Sequence, residues 1–157
     1  MIETIYIEKK NRDHPRTKSI LKKFKKSRFI EIDKYAEIFN KRNQNFRIQK
    51  ANPNLILAHK NDGFVLRTPE GFGIGSSKNF YFSHMYNCIY DCRYCFLQGM
   101  FSSANYVIFV NFEDFDASIK NVIDQNINSK ITFFSGYDCD SLALENVTGF
   151  AKHILPI

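Results

Sequence analysis

The chain has 157 residues, 44% hydrophobic and 24% charged, an ordinary globular composition for one or two small domains, and its best apolar run, residues 106–110, is far too short to cross a bilayer. Its net charge of +6 is uneven: residues 1–60 hold 16 Lys and Arg against 6 Asp and Glu, a net of +10, while residues 61–157 hold 6 against 10, a net of −4. Residues 1–8 alternate acidic and apolar side chains and lack a secretory leader's basic and hydrophobic blocks, so the expected compartment is the cytoplasm, where four cysteines are metal ligands or reactive thiols before they are disulfides.

Ile5-Tyr6-Ile7 reads as a first strand. Asp13-His14-Pro15 then starts a helix, with Asp13 as cap, Pro15 at an early position that needs no N–H, and Ile20, Leu21 and Phe24 as the apolar stripe. The other faces of that helix carry six Lys and Arg between Arg16 and Lys26. Such a basic segment points to an anionic partner, nucleic acid first, with a solvated face near the terminus as the plain alternative. Residues 29–32 form a second strand and 35–39 a helical turn. Residues 54–58 and 64–66 read as two strands joined through the turn signal Asn61-Asp62-Gly63. Residues 1–70 are thus expected to be a small basic α/β unit, followed by a Gly/Ser-rich linker at 71–78.

Beyond the linker, residues 79–83 read as a strand and 106–110 as a strand buried on both faces. A helix spans 112–126, another strand 131–134 and a further helix 142–154, weakened by Gly149. This alternation predicts a parallel α/β layer or barrel, of which only the first units fit in 79–157. Phe80, Tyr81 and Phe82 read as strand and core residues, with base stacking as the sharper alternative for them. Glu113, Asp114 and Asp116 read as first-turn acids favoured by the helix dipole rather than as an acid–base pair. No partner is evident for His14, His59 or His153.

The chemistry concentrates in one loop. Cys88-Ile-Tyr-Asp-Cys92-Arg-Tyr-Cys95 has the spacing C-x3-C-x2-C, directly after a predicted strand. Three thiolates that close together can hold three corners of a cubane iron–sulfur cluster and leave the fourth iron open to a small molecule. Two other readings stand beside it: a zinc site in which His84 completes a Cys3His set, and plain buried cysteines. His84 itself reads first as a structural histidine at a strand end. Cys139 is the remaining thiol, also near a strand end.

Residues 79–115, with His84-Met-Tyr-Asn-Cys88 leading into Cys92-Arg-Tyr94-Cys95-Phe96-Leu-Gln98, resemble the spore photoproduct lyase branch of the radical SAM superfamily. Residues 140–149, Asp-Ser-Leu-Ala-Leu-Glu-Asn-Val-Thr-Gly, resemble a downstream segment of the same branch. The resemblance implies a small α/β unit followed by the first βα units of a partial parallel (β/α) barrel. It implies a 4Fe-4S cluster on Cys88, Cys92 and Cys95, S-adenosyl-L-methionine on the open iron, and a 5′-deoxyadenosyl radical that takes hydrogen from a thymine photoproduct in DNA. An electron donor of flavodoxin or ferredoxin type follows from the same chemistry.

Carried over residue by residue, Tyr94 matches a relay tyrosine, and Cys139 is the candidate hydrogen donor. Asp140 and Ser141 fall in the cofactor-binding segment. Two positions depart from the pattern: Phe96 stands where the branch has a second tyrosine, and an ungapped register puts Tyr137 at the donor position. The resemblance covers only the N-terminal half of such a core, so a truncated protein, or one half of a split enzyme with a C-terminal partner chain, is expected. The reading from another class is a non-catalytic iron–sulfur or zinc module that binds nucleic acid, and a third is a basic DNA-binding fragment without metal.

Overall fold

The fold is that of a computed structural model, which describes residues 2–157. Three strands of the leading segment, β1 (Thr4–Glu8), β2 (Arg28–Ile32) and β3 (Leu55–Ala58), lie side by side in parallel, with β1 in the middle. Beyond them β7 (Tyr106–Phe109) pairs in parallel with β3, and the two-residue β6 (Met85–Tyr86) closes the edge antiparallel to β7, giving the order β2-β1-β3-β7-β6. All four residues of β3 and all four of β7 are buried, as strands covered on both faces require. Each fully buried Leu, Ile or Phe there contributes about 1.5–3 kcal/mol.

The strand period of two divides the core. Ile5, Ile7, Leu55, Leu57 and Ile108 face Ile20 of α1 (Pro15–Leu21), together with Met85, Cys139 and Ala143. Ile56, Val107 and Phe109 face Phe112, Phe115 and Ile119 of α4 (Phe112–Asp124), together with Phe39 and Phe150. The α4 positions recur at i, i+3 and i+7, one stripe of an amphipathic helix.

A second sheet holds β4 (Leu66–Arg67), β5 (Lys78–Phe82) and β8 (Ile131–Ser135). β4 is antiparallel to β5, and β5 is parallel to β8, the crossover between them running through β7 and α4. The molecule is therefore a mixed α/β fold with parallel sheets. No described helix is long and apolar enough to cross a membrane.

Four local expectations change. The hairpin across Asn61-Asp62-Gly63 does not form: β3 pairs with β1 and β7, and β4 pairs with β5. The cap of α1 is His14, whose Nδ1 accepts from the Arg16 N–H at 3.2 Å, and Asp13 instead pairs with Lys18. Residues 71–78 fold back on the second sheet. There Thr68 bonds the Phe72 and Asn79 carbonyls, Asn79 accepts from the Ile74 N–H, and Ser77 donates to the Lys130 carbonyl. The single helix expected over 142–154 is two short ones, α5 (Glu145–Thr148) and α6 (Phe150–Ile154), because Gly149 at φ +65° breaks the run. Two short elements carried no sequence expectation: α3 (Phe46–Lys50) and β6. The helical turn at 35–39 is α2 (Ala36–Phe39).

A Cβ at Gly149 meets nothing within 4 Å, so Gly149→Ala isolates backbone strain from packing. Its expected cost is about 1 kcal/mol, read as a lower urea midpoint at unchanged slope.

Candidate functional site

The loop 87–105 leaves β6 at the end of the first sheet where β7 begins. Asn87 adopts φ +62°, is almost fully buried, and donates its side-chain amide to the Ser103 and Asn105 carbonyls, both at 2.8 Å. Those bonds fasten the start of the loop to its end. Gln49 of α3 accepts from the Ser103 hydroxyl and the Ala104 N–H, while Lys50 reaches Asp91 at 3.5 Å. Gln98 donates to Asp91 at 2.6 Å and, with Lys50, holds that carboxyl below its usual range.

On this pinned loop Cys88, Cys92 and Cys95 are free, half-exposed thiols. Cys88 and Cys95 line one small pocket with Phe46, Lys50 and Leu97, and the Cys95 N–H donates to the Cys92 carbonyl at 3.0 Å. Among the described residues no three Cys, His, Asp or Glu side chains converge as one metal ion needs. A cubane asks for a different arrangement, one thiolate on each of three separate irons. Three free thiols on one anchored turn are the donor set it takes.

His84 does not join them as a fourth ligand among the described residues. Its ring is fully buried, stacked on Phe150 at 3.9 Å with Phe112 edge-on, and neither ring nitrogen has a partner. Burial alone drives its pKa from 6.5 to about 3, so the ring is neutral.

The remaining sequence candidates separate. Tyr94 is 93% exposed. Cys139 is 2% exposed, packed in the core between the first sheet and α1, and burial raises its thiol well above the ordinary value. Asp140 accepts the Leu142 N–H at 2.8 Å and shapes the turn after β8. Ser141 lies against Gly136, where an added Cβ would meet the Ser141 hydroxyl at 2.6 Å and the Cys139 carbonyl at 2.7 Å. Gly136, at φ +81°, is thus the residue that lets this turn close.

Between the loop and the second sheet opens an apolar cleft of about 480 Å³, walled by Phe72, Tyr81, Phe96, Phe134 and Tyr137. Tyr137 lies 4.7 Å from Tyr81 and 5.7 Å from Phe96, ring to ring. A pocket of about 270 Å³ shares Tyr81 and Tyr137 and adds Lys60, Ser83, Tyr86 and Asp138. Lys60 lies 4.8 Å over the Phe109 ring and reaches the Tyr86 hydroxyl at 3.3 Å; burial lowers its pKa, opposed by Asp138 and Asp62. Burial likewise raises Asp138, opposed by the Ser83 hydroxyl and Lys60.

The sequence reading missed Lys60, Asp138 and Gly136; only the glycine at a strand end was a local signal. The unassigned histidines have partners: His153 meets Asp116 at 2.8 Å, and His59 lies 4.0 Å from Asp114. Glu113 is taken by Arg16, in keeping with a structural rather than an acid–base role for these acids.

Comparison with known proteins places this fold. The chain superposes on a spore photoproduct lyase double mutant with bound AdoMet and dinucleoside spore photoproduct, with a TM-score of 0.77 and 17% identity, over 98% of this chain and 45% of that one. A cysteine-to-serine mutant of spore photoproduct lyase gives 0.74, and the enzyme complexed with dinucleoside spore photoproduct gives 0.70, at the same identity and coverage. The chain therefore spans a little under half the length of these structures. No family model and no curated protein matches it.

Proposed function

We propose that the chain is the cluster-bearing half of a radical SAM enzyme of the spore photoproduct lyase kind, acting on damaged DNA. The observation that carries the reading is the pinned loop of three free thiols beside the Phe96–Tyr137–Tyr81 cleft, in a fold shared with that lyase. Cys88, Cys92 and Cys95 would each hold one iron of a 4Fe-4S cluster. When bound, the cluster supplies the electron that cleaves S-adenosyl-L-methionine, whose fragment takes hydrogen from the substrate.

The chain's own residues do the rest. Asn87 and Gln49 hold the loop closed at its base. The aromatic walls of the cleft exclude water and offer faces on which a base drawn out of its stack can rest. Asp140 and Ser141, on the turn beyond β8 that Gly136 opens, would take the cofactor's polar end. Tyr137, not the core-buried Cys139, faces the cleft, and Tyr94 stands free on the outer loop.

Anaerobic reconstitution with iron and sulfide is expected to give broad visible absorption that disappears in Cys88→Ala, Cys92→Ala or Cys95→Ala and persists in Cys139→Ala. A colourless protein that retains stoichiometric zinc would overturn it. A second reading, one half of a two-chain enzyme, is favoured by β8, which has a strand neighbour on only one side among the described residues. Formation of 5′-deoxyadenosine only after a C-terminal partner chain is added would select it.

A further inference from the structure

The charge excess of residues 1–60 is only partly paired with acids. Lys9, Lys10, Arg12, Arg16, Lys18 and Lys50 each meet a carboxylate. Other exposed cations, Arg28, Lys34, Lys41, Arg42 and Arg47, have no carboxylate within 4 Å among the described residues, and neither have Lys22, Lys25 and Lys26, which are exposed together in the turn between α1 and β2. With Ile2 and Phe24 they line a groove of about 510 Å³.

The turn is built rather than loose. Phe24 packs against the first core, and the Ser27 hydroxyl donates to the Ile2 carbonyl at 2.6 Å. Three successive backbone bonds close the turn: Lys23 to Ile20, Phe24 to Leu21 and Ser27 to Phe24. Lys23 is spent on fastening, its ammonium donating to the Asn146 and Val147 carbonyls of α5. The other three ammoniums thus stand on a closed turn with no carboxylate beside them among the described residues.

Position gives the groove a meaning. The turn enters β2, and Cys88 follows the strand antiparallel to β7, so both sit where the parallel strands of the first sheet begin. They mark opposite edges of that five-strand sheet. Four strand spacings of about 4.8 Å separate them by roughly 19 Å, about six base pairs at 3.4 Å each.

We infer that the Lys22–Lys25–Lys26 turn is a platform for the phosphate backbone of duplex DNA, gripping it about six base pairs from the base presented to the cysteine loop. The distance rests on the function proposed above; the phosphate contact does not need the cluster. Duplex DNA fits better than an anionic membrane because Ile20 and Leu21 of the adjacent helix α1, and Phe24 of the turn, pack into the core, so that three ammoniums and no free apolar helix face are presented.

The test is fluorescence anisotropy of a labelled duplex of about 20 base pairs, titrated with salt. Each lysine on a phosphate contributes a slope of about −0.9 to log K against log salt. The variant Lys22→Gln/Lys25→Gln/Lys26→Gln is expected to shallow the slope by about 2 to 3 and to weaken binding at least tenfold at low salt. Its circular dichroism should match the wild type, since all three side chains are exposed. A dinucleotide, too short to reach the turn, should bind both proteins alike. Unchanged duplex binding in the triple variant overturns the inference, as does a wild type that binds phosphatidylserine vesicles but no duplex. Cys88→Ala that lacks visible absorption yet binds duplex like the wild type supports it, and leaves the fate of the iron–sulfur reading to the reconstitution experiment.

Discussion

Acidification from pH 6.5 toward 3 is expected to cost this protein about 4–5 kcal/mol through one side chain, His84, in addition to its carboxylates. The ring is fully buried between Phe112 and Phe150, burial is the sole cause of its depressed pKa, and no charged group contributes. The unfolded chain takes a proton on this ring near pH 6.5, whereas the folded chain takes it only near 3. Between those values the unfolded state binds one proton more, so stability is full above 6.5, falls by up to about 1.4 kcal/mol per pH unit, and levels off below 3. His84→Leu removes the titration together with two ring nitrogens that have no partner. Its neutral-pH stability is expected to equal or exceed the wild type's, because unpaired buried polar atoms are costly. Urea midpoints from pH 7 to 4 decide it: the variant should lose the steep segment, and an unchanged slope would mean that the ring is protonated in the fold.

The elements that were legible in the sequence are those whose apolar period is strong and local. β1, β2, β3, β7 and β8 each carry a short apolar run, and α4 repeats Phe112, Phe115 and Ile119 on one stripe. Pairing was not legible. Asn61-Asp62-Gly63 is a good turn, but β3 gains more by burying both faces between β1 and β7 than by forming a hairpin with Phe64-Val65-Leu66, and no local signal reports a partner so far along the chain. The cysteine loop was placed by its motif. The cleft beside it was not, because Lys60 and Asp138 meet only through the tertiary fold. The fates of Tyr137 and Cys139 show the same limit. Strand alternation along β8 gives the two residues the same face, yet Gly136 at φ +81° turns the chain just before them. Beyond that turn parity fails: Tyr137 enters the cleft and Cys139 the core.

Arg16→Ala is the second substitution with a large expected effect, a loss of about 2–4 kcal/mol. The guanidinium leaves α1 and donates to the Val110 carbonyl just after β7. It also forks onto the Glu113 carboxylate at 2.9 and 3.2 Å and lies 3.8 Å over the Phe112 ring. Arg16 is mostly buried and Glu113 is 61% exposed, so the ion pair contributes little beside the carbonyl bond and the ring contact. That ordering is checkable. Glu113→Gln alone should cost under about 1 kcal/mol, whereas Arg16→Lys, which keeps the charge but cannot fork or lie flat on a ring, should recover less than half of the Arg16→Ala loss. A lysine variant as stable as the wild type would show that charge alone holds the contact. Its geometry matters to function because Arg16 locks α1 to the strand that carries the far side of the cysteine loop. The lysine turn begins directly after α1, so a loosened Arg16 contact should also weaken duplex binding while the three lysines stay in place.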